Sequence, residues 1–266
     1  MPYSYIKKKQ TNEEQIKKQT NEEQIKNDTE TDYNPYEINV RKTNKDGLDQ
    51  PQGSEDDIFP SMPCGILIIG RSSSGKTQAM VNMMTNDNLL ADYFDIVYLF
   101  CDAKPDKELI KDLKLEKENI ITDFDEEKVK TIMDRAENTI QKDGFKKSPK
   151  IMMLFDDILS NQKFLRSKTL TRLATANRHF NISYIFCSQY YKKLPPVVRT
   201  NARYYMIFPS SMSEVEKIAD ELTPPRLSKK QFIQYLQYAT DKKYSFMSIN
   251  ADSQEPLRRM FENILI

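Results

Sequence analysis

The chain has 266 residues, enough for one sizeable domain and a tail, and its 40 basic and 39 acidic residues nearly cancel, so net charge singles out no class of partner. No apolar run is long enough to span a bilayer and no basic-then-apolar start resembles a secretion signal, so a soluble protein without membrane insertion is expected. Cys64, Cys101 and Cys187 lack metal-ligand spacing and read as reduced, buried thiols of an intracellular compartment, while the single histidine, His179, excludes mechanisms that need two imidazoles.

In chain order, the first stretch duplicates itself: KKQTNEEQI at Lys8–Ile16 recurs unchanged at Lys17–Ile25. One Ile per polar nine-residue unit cannot bury a core, and the period is too short for a helical solenoid. Polar, turn-rich sequence continues to Asp57, so residues 1–57 are expected to be a disordered, low-complexity tail. This tail holds nine basic and thirteen acidic residues, which leaves a mild basic excess on residues 58–266.

From Ile58 the texture changes. Short apolar runs at Ile66–Ile69, Ile96–Phe100, Ile151–Phe155, Ile182–Cys187 and Tyr204–Phe208 predict strands. Helical periodicity falls between and after them at Lys76–Thr85, Asp125–Gln141, Lys163–Asn177, Ser213–Leu222 and Leu227–Tyr238, with a late strand at Tyr244–Ile249. The alternation predicts an α/β domain, a mostly parallel sheet with helices on both faces.

Three of the chain's six glycines, Gly65, Gly70 and Gly75, fall within eleven residues. Gly70-Arg-Ser-Ser-Ser-Gly75-Lys76-Thr77 fits G-x-x-x-x-G-K-[ST], after a strand and before a helix, which is the context that gives the pattern meaning. Its glycines let backbone N–H groups wrap a phosphate chain, and the helix start adds partial positive charge. Gly70, Ser72, Ser73, Ser74, Gly75, Lys76, Thr77 and Gln78 are therefore the candidate nucleotide-binding residues, with Lys76 reaching the β- and γ-phosphates and Thr77 a Mg²⁺ ion.

The strand in KIMMLFDDIL delivers Asp156 and Asp157 at its carboxyl end, where open α/β sheets bind ligands. Asp156 is the candidate second metal residue and Asp157 the candidate base for a water. Such a doublet favours hydrolysis over the transfer chemistry of most small-molecule kinases, and no guanine-reading N-K-x-D stretch is present. The next strand, in NISYIFCSQYY, ends at Gln189, a candidate sensor of the γ-phosphate if that strand lies between the other two, as in additional-strand P-loop ATPases. Arg178 and Arg199 flank it, on the edge where a neighbouring subunit would dock, and are the candidate catalytic arginines donated in trans.

GRSSSGKT, IMMLFDD and ATANRHFNISYIFCSQYYKKLPPVVRTNARYYMIF together resemble the genome-packaging ATPases of large DNA viruses, virophages and related mobile elements, the poxvirus-type branch of the FtsK–HerA superfamily. The similarity runs from about Ile58 to about Leu222. It implies a RecA-like additional-strand P-loop NTPase with ATP and Mg²⁺ as cofactors. It further implies a homo-oligomeric ring, a hexamer in the first instance, driving double-stranded DNA into a capsid at a capsid or portal-vertex protein. Such a protein would work inside an infected host cell and transiently at the virion. Relatives outside the viral branch carry Asp-Glu where this chain has Asp156-Asp157, which implies a slightly different geometry for the base.

For DNA contact the candidates are Lys192 and Lys193, beside Tyr190 and Tyr191, and Lys229 and Lys230, near Arg226; clustered lysines suffice to grip phosphates without reading bases. The competing readings are a nucleotide or nucleoside kinase using the same loop, and an ATP-binding assembly protein without turnover.

Overall fold

Each apolar run becomes a strand of one sheet, and each helical segment packs on it. A computed structural model describes residues 58–265 apart from 103, 106, 123 and 262, so the expected tail at 1–57 lies outside the described residues. The strands are β1 (Gly65–Ile69), β2 (Ile96–Cys101), β3 (Ile120–Ile121), β4 (Ile151–Asp156), β5 (Ile182–Ser188), β6 (Tyr204–Ile207), β7 (Met247–Asn250), β8 (Leu257–Arg259) and β9 (Asn263–Ile264). The helices are α1 (Lys76–Thr85), α2 (Lys107–Asp112), α3 (Glu126–Asp143), α4 (Gln162–Leu165), α5 (Lys168–Ala176), α6 (Pro196–Asn201), α7 (Met212–Leu222) and α8 (Lys229–Ala239).

The sheet order is β3-β2-β4-β5-β1-β6-β7-β8-β9. From β3 to β6 all neighbours are parallel, and β7, β8 and β9 close the other side as an antiparallel meander. Every residue of β1 and of β5 is buried, which is why β1 reads as an uninterrupted apolar run and β5 as one broken only by Ser183 before it ends at Ser188: a strand covered on two faces has no polar side to show. Strand alternation divides the core in two. Ile66, Ile68, Leu154 and Ile185 meet Met80 and Met83 of α1 on one face, while Leu67, Ile69, Phe155 and Phe186 meet α3 and α5 on the other.

One ladder fixes the register next to the site. Phe100, Phe155 and Phe186 are direct neighbours across β2, β4 and β5, with ring centroids 4.8 and 4.5 Å apart and nearly parallel planes. Because successive side chains alternate, Phe155 pointing to the α3 face requires Asp156 to point to the α1 face.

The expected helix at Lys163–Asn177 is two helices. Asn161 accepts from the Phe164 N–H and starts α4, and Ser167 accepts from the Leu170 N–H and starts α5, so each short polar side chain caps a helix of its own. The expected late strand begins at Met247 instead of Tyr244, because Tyr244 holds a positive φ of 67° that no strand contains.

Candidate functional site

The sheet positions the site through a single topological fact: β5 lies between β1 and β4. The loop after β1, the acids after β4 and the polar end of β5 are thereby gathered at the carboxyl ends of three adjacent parallel strands.

The loop is tied down on both sides. The Gly70 N–H donates to the Ser188 carbonyl at 3.1 Å and the Arg71 N–H to the Pro209 carbonyl at 3.3 Å. A Cβ on Gly70 would lie 2.4 Å from the Phe208 Cβ and 2.8 Å from the Ser74 Oγ, so no larger residue fits there. Gly75 turns the chain into α1 with φ at 99°, a conformation that glycine adopts without penalty. The start of α1 has no side-chain cap and no acidic residue in its first turn, which leaves its amide N–H groups and their partial positive charge without a partner from the chain.

Lys76 folds back over the loop, its ammonium donating to the carbonyls of Gly70 and Arg71 at 2.9 Å each. Burial pulls it below its ordinary pKa, against the opposing influence of Cys187, Asp157 and Asp156. The same burial raises the Asp156 carboxyl, the charge of Asp157 raises it further, and Lys76 works the other way. Thr77, Gln78, Asp156 and Asp157 line one cleft of about 630 Å³ with Asp102 and Lys104. Asp157 is exposed with φ at 51°, a left-handed turn that aspartate tolerates and that aims its carboxylate away from the strand line. Gln189 reaches across from β5, its Nε2 donating to the Asp157 Oδ2 at 3.0 Å.

The residues fit a magnesium–nucleotide complex. A helix start without a chain-derived anion, a lysine held only by loop carbonyls, a buried Ser74 hydroxyl without a hydrogen-bond partner, and a cleft shared by Thr77 with two carboxylates are what a triphosphate and a hard cation require. Thr77 and Asp156 are the residues that would hold the cation. Among the described residues no group of three or more His, Cys, Asp and Glu is arranged to hold a metal by itself, so the cation would depend on Thr77 and the phosphates as well as on Asp156.

Sequence reasoning missed two residues here. Asp102 directly follows β2 as Asp157 directly follows β4, and accepts a hydrogen bond from the Ser160 hydroxyl, joining the end of β2 to the turn after Asp157. The signal was available: an acid directly after the apolar run IVYLFC. Tyr244, at the start of the expected late strand, instead lies outside β7 and against Gly75.

The structure also separates residues that the sequence grouped. Arg199 is a correction: it is buried in α6, its guanidinium paired with both Glu221 carboxylate oxygens at 3.0 and 3.1 Å and donating to the Leu194 carbonyl at 2.6 Å. A guanidinium so engaged is not presented to a neighbouring subunit. Arg178 is exposed, but β5 is an interior strand, so Arg178 lies at the strand-start end of the sheet and not on a lateral edge. A seven-residue strand separates it from its own chain's loop, roughly 20 Å. There it faces Arg203, whose guanidinium is pulled below its usual range by burial and then by the Arg178 charge.

Among the lysines, Lys192 donates to the Ser213 hydroxyl at 2.8 Å and Lys193 lies 4.2 Å over the Tyr190 ring, both exposed near Gln189. Lys229 is ion-paired with Asp220 at 2.6 Å, and Lys230 beside it is exposed. Ser213 and Asp220 are both on α7, so the two clusters are about two helical turns apart.

A phosphate-type loop after β1, paired carboxylates after β4 and a polar strand end inserted between them define an additional-strand P-loop NTPase fold with a mostly parallel sheet. The chain belongs to the family described as Poxvirus A32 protein, which it matches over residues 56–254.

Among individual proteins it is 25% identical over 191 residues to the DNA packaging protein OPG160 of Monkeypox virus, covering 69% of this chain and 60% of that protein. Against DNA packaging protein OPG160 of Vaccinia virus (strain Copenhagen) the figures are 26% over 163 residues, 59% and 57%. The chain thus spans about 60% of the length of these relatives. Of solved structures, the sulfate complex of the genome packaging NTPase B204 from Sulfolobus turreted icosahedral virus 2 superposes with a TM-score of 0.51 at 15% identity, over 72% of this chain and 92% of that one. EssC (ATPases 2 and 3) from Geobacillus thermodenitrificans gives 0.50 at 12%, over 73% and 38%. At such identities these two support the fold alone.

Proposed function

We propose that this chain is the ATP-hydrolysing subunit of a ring-shaped motor that moves double-stranded DNA into a viral capsid. The observation that carries the hydrolytic part is the bond from Gln189 to Asp157, which holds an exposed carboxylate at the mouth of the cleft shared with Thr77 and Asp156. Bound Mg²⁺–ATP supplies a γ-phosphoryl group whose charge the cation screens. The chain's own part is positional. Loop amides and Lys76 bind phosphate oxygens, Thr77 and Asp156 hold the cation, and Asp157 takes a proton from water. Gln189 keeps that carboxylate aimed and changes partner when the γ-phosphate position fills.

The packaging part rests on family membership and on the relatives' described role as DNA packaging proteins. A packaging motor must accept any sequence, so phosphate contacts are sufficient; Lys192, Lys193 and Lys230 are the exposed candidates, with Lys229 joining them when it leaves Asp220. A ring, hexameric in this reading, multiplies each subunit's modest positive patch around one channel. Arg178 is the residue offered to the neighbouring nucleotide, and its distance from its own loop suits a role in trans. The capsid or portal vertex is the docking partner. Buried, free Cys64, Cys101 and Cys187 accord with work in the reducing interior of an infected cell, with transient residence at the virion. No helix among the described residues is long and apolar enough to cross a membrane.

The test is ATP hydrolysis with and without long double-stranded DNA. Stimulation by DNA is expected, with K76A and D157N both inactive. Phosphate transfer to a nucleoside in place of release to water would make the chain a kinase. Mixing R178A subunits into wild-type assemblies should depress turnover more than in proportion; strict proportionality would remove Arg178 from the neighbour's site.

A further inference from the structure

We propose that Tyr244 is the platform on which the nucleobase of the bound nucleotide stacks, a proposal that rests on the nucleotide reading of the loop and names a subsite within it. Three observations meet at this residue.

The first is placement. Asp156, Asp157 and Gln189 are at the carboxyl ends of β4 and β5, on one side of β1, so the reacting end of a nucleotide points that way. The opposite end then leaves on the other side of β1, toward β6 and β7. Tyr244 lies there, between α8 and β7, and its ring abuts the loop: a Cβ on Gly75 would lie 3.2 Å from the Tyr244 Cδ1 and 3.4 Å from its Cβ.

The second is exposure. Tyr244 is 54% exposed, one of the few large apolar side chains among the described residues that the fold leaves in solvent, and it does so directly beside the loop. An aromatic ring that the core does not use offers a flat, rigid surface suited to a base. Lys243 sits 4.7 Å over the ring, which places a cation beside an anionic ligand.

The third is backbone. Tyr244 holds φ at 67°, which is costly for a bulky residue. The turn is enforced from both sides: the Ser245 N–H donates to the Lys242 carbonyl at 3.1 Å, and the Lys242 N–H to the buried Ser245 hydroxyl oxygen at 3.2 Å. Phe246 is buried next in line. The chain therefore accepts strain to turn this one ring outward against the loop.

The test compares two ligands that share phosphates and differ in the base: Mg²⁺–ATP and Mg²⁺–tripolyphosphate, titrated calorimetrically into the full chain. Y244N keeps a residue that tolerates the left-handed turn and removes the ring; it should weaken ATP about tenfold and leave tripolyphosphate within about twofold. Y244F should behave as wild type. The chain contains no tryptophan, so Y244W supplies a single reporter whose emission ATP should quench and tripolyphosphate should not. Equal weakening of both ligands would mean that the ring only props Gly75, and unchanged ATP affinity would mean that the base lies elsewhere; either overturns the proposal. Wild-type protein that binds neither ligand would instead remove the nucleotide reading itself, and the platform with it.

Discussion

Gln189 and Asp157 are 32 positions apart in the chain and 3.0 Å apart in space, the amide of one donating to the carboxylate of the other across two neighbouring strands. A carboxylate accepts only, so the amide nitrogen must face it, and the direction of the bond is set by chemistry. If Asp157 is the base proposed above, its aim depends on Gln189. Q189A should leave ATP affinity nearly unchanged and lower turnover about tenfold to a hundredfold, less than D157N, which removes the proton acceptor itself. Phosphate release measured beside equilibrium binding checks this. An equal loss of affinity would mean that Gln189 shapes the loop and does not position the base.

Gly70 makes a sharper prediction because sterics allow no compromise. Its missing Cβ is the space filled by the Phe208 Cβ and the Ser74 Oγ. G70A must therefore push β6 away or lift the loop, and the loop is anchored to the Ser188 and Pro209 carbonyls. The variant should lose about 1–3 kcal/mol of stability and its nucleotide binding together. Thermal melting and calorimetry on the same sample check it, and retained binding would show that the loop adapts.

Asp156 should cost stability in the protein without nucleotide. Its folded pKa is raised by burial and by Asp157, so its charged form is less favoured in the folded chain than in the unfolded one. With a raised folded pKa, the stability contribution is complete below the unfolded pKa and is lost as pH rises through the folded pKa. At neutral pH the loss is in force. D156N, which removes the charge, should raise stability by about 0.5–2 kcal/mol, or about 2–4 °C per kcal/mol, while abolishing hydrolysis. A lower melting temperature for D156N would show that the carboxylate is already stabilised by its surroundings.

What could be read in the sequence was what chemistry confines to a few consecutive residues. The loop, its helix and the Asp156–Asp157 strand end are each local, and β5 was readable as a strand because burial on both faces leaves it apolar except for Ser183 and the terminal Ser188. Its position between β1 and β4 came from likeness to other proteins, since a single strand carries no record of its neighbours. What was illegible depends on distant partners. Arg199 looks like any exposed arginine until Glu221, 22 residues on, is seen to claim it. Tyr244 looks like the start of a strand because nothing in YSFMSIN reports the Lys242–Ser245 turn or the approach to Gly75. β8 and β9 escaped because a two- or three-residue strand held by antiparallel pairing, one reading Leu-Arg-Arg, has no apolar alternation to detect.

The Arg199–Glu221 pair gives the last prediction, and it concerns the folded state and not turnover. Burial alone would raise the Glu221 carboxyl, but hydrogen bonds from Arg199, Lys217 and Tyr191 outweigh it and hold the group down at about 2. A depressed folded pKa contributes stability that is present above the unfolded value, near 4.5, and is lost as pH falls toward about 2. Acid unfolding of the wild type should therefore steepen between those limits, and E221Q should flatten that part of the profile. R199M keeps apolar bulk over Tyr191 but leaves Glu221 with two weaker partners; at pH 7 it should cost about 2 kcal/mol, below the range for a fully enclosed pair because Glu221 keeps contact with solvent. If Arg199 served a neighbouring subunit instead, R199M would melt like wild type and fail only in assembled rings. Chemical denaturation of the monomer separates the two outcomes.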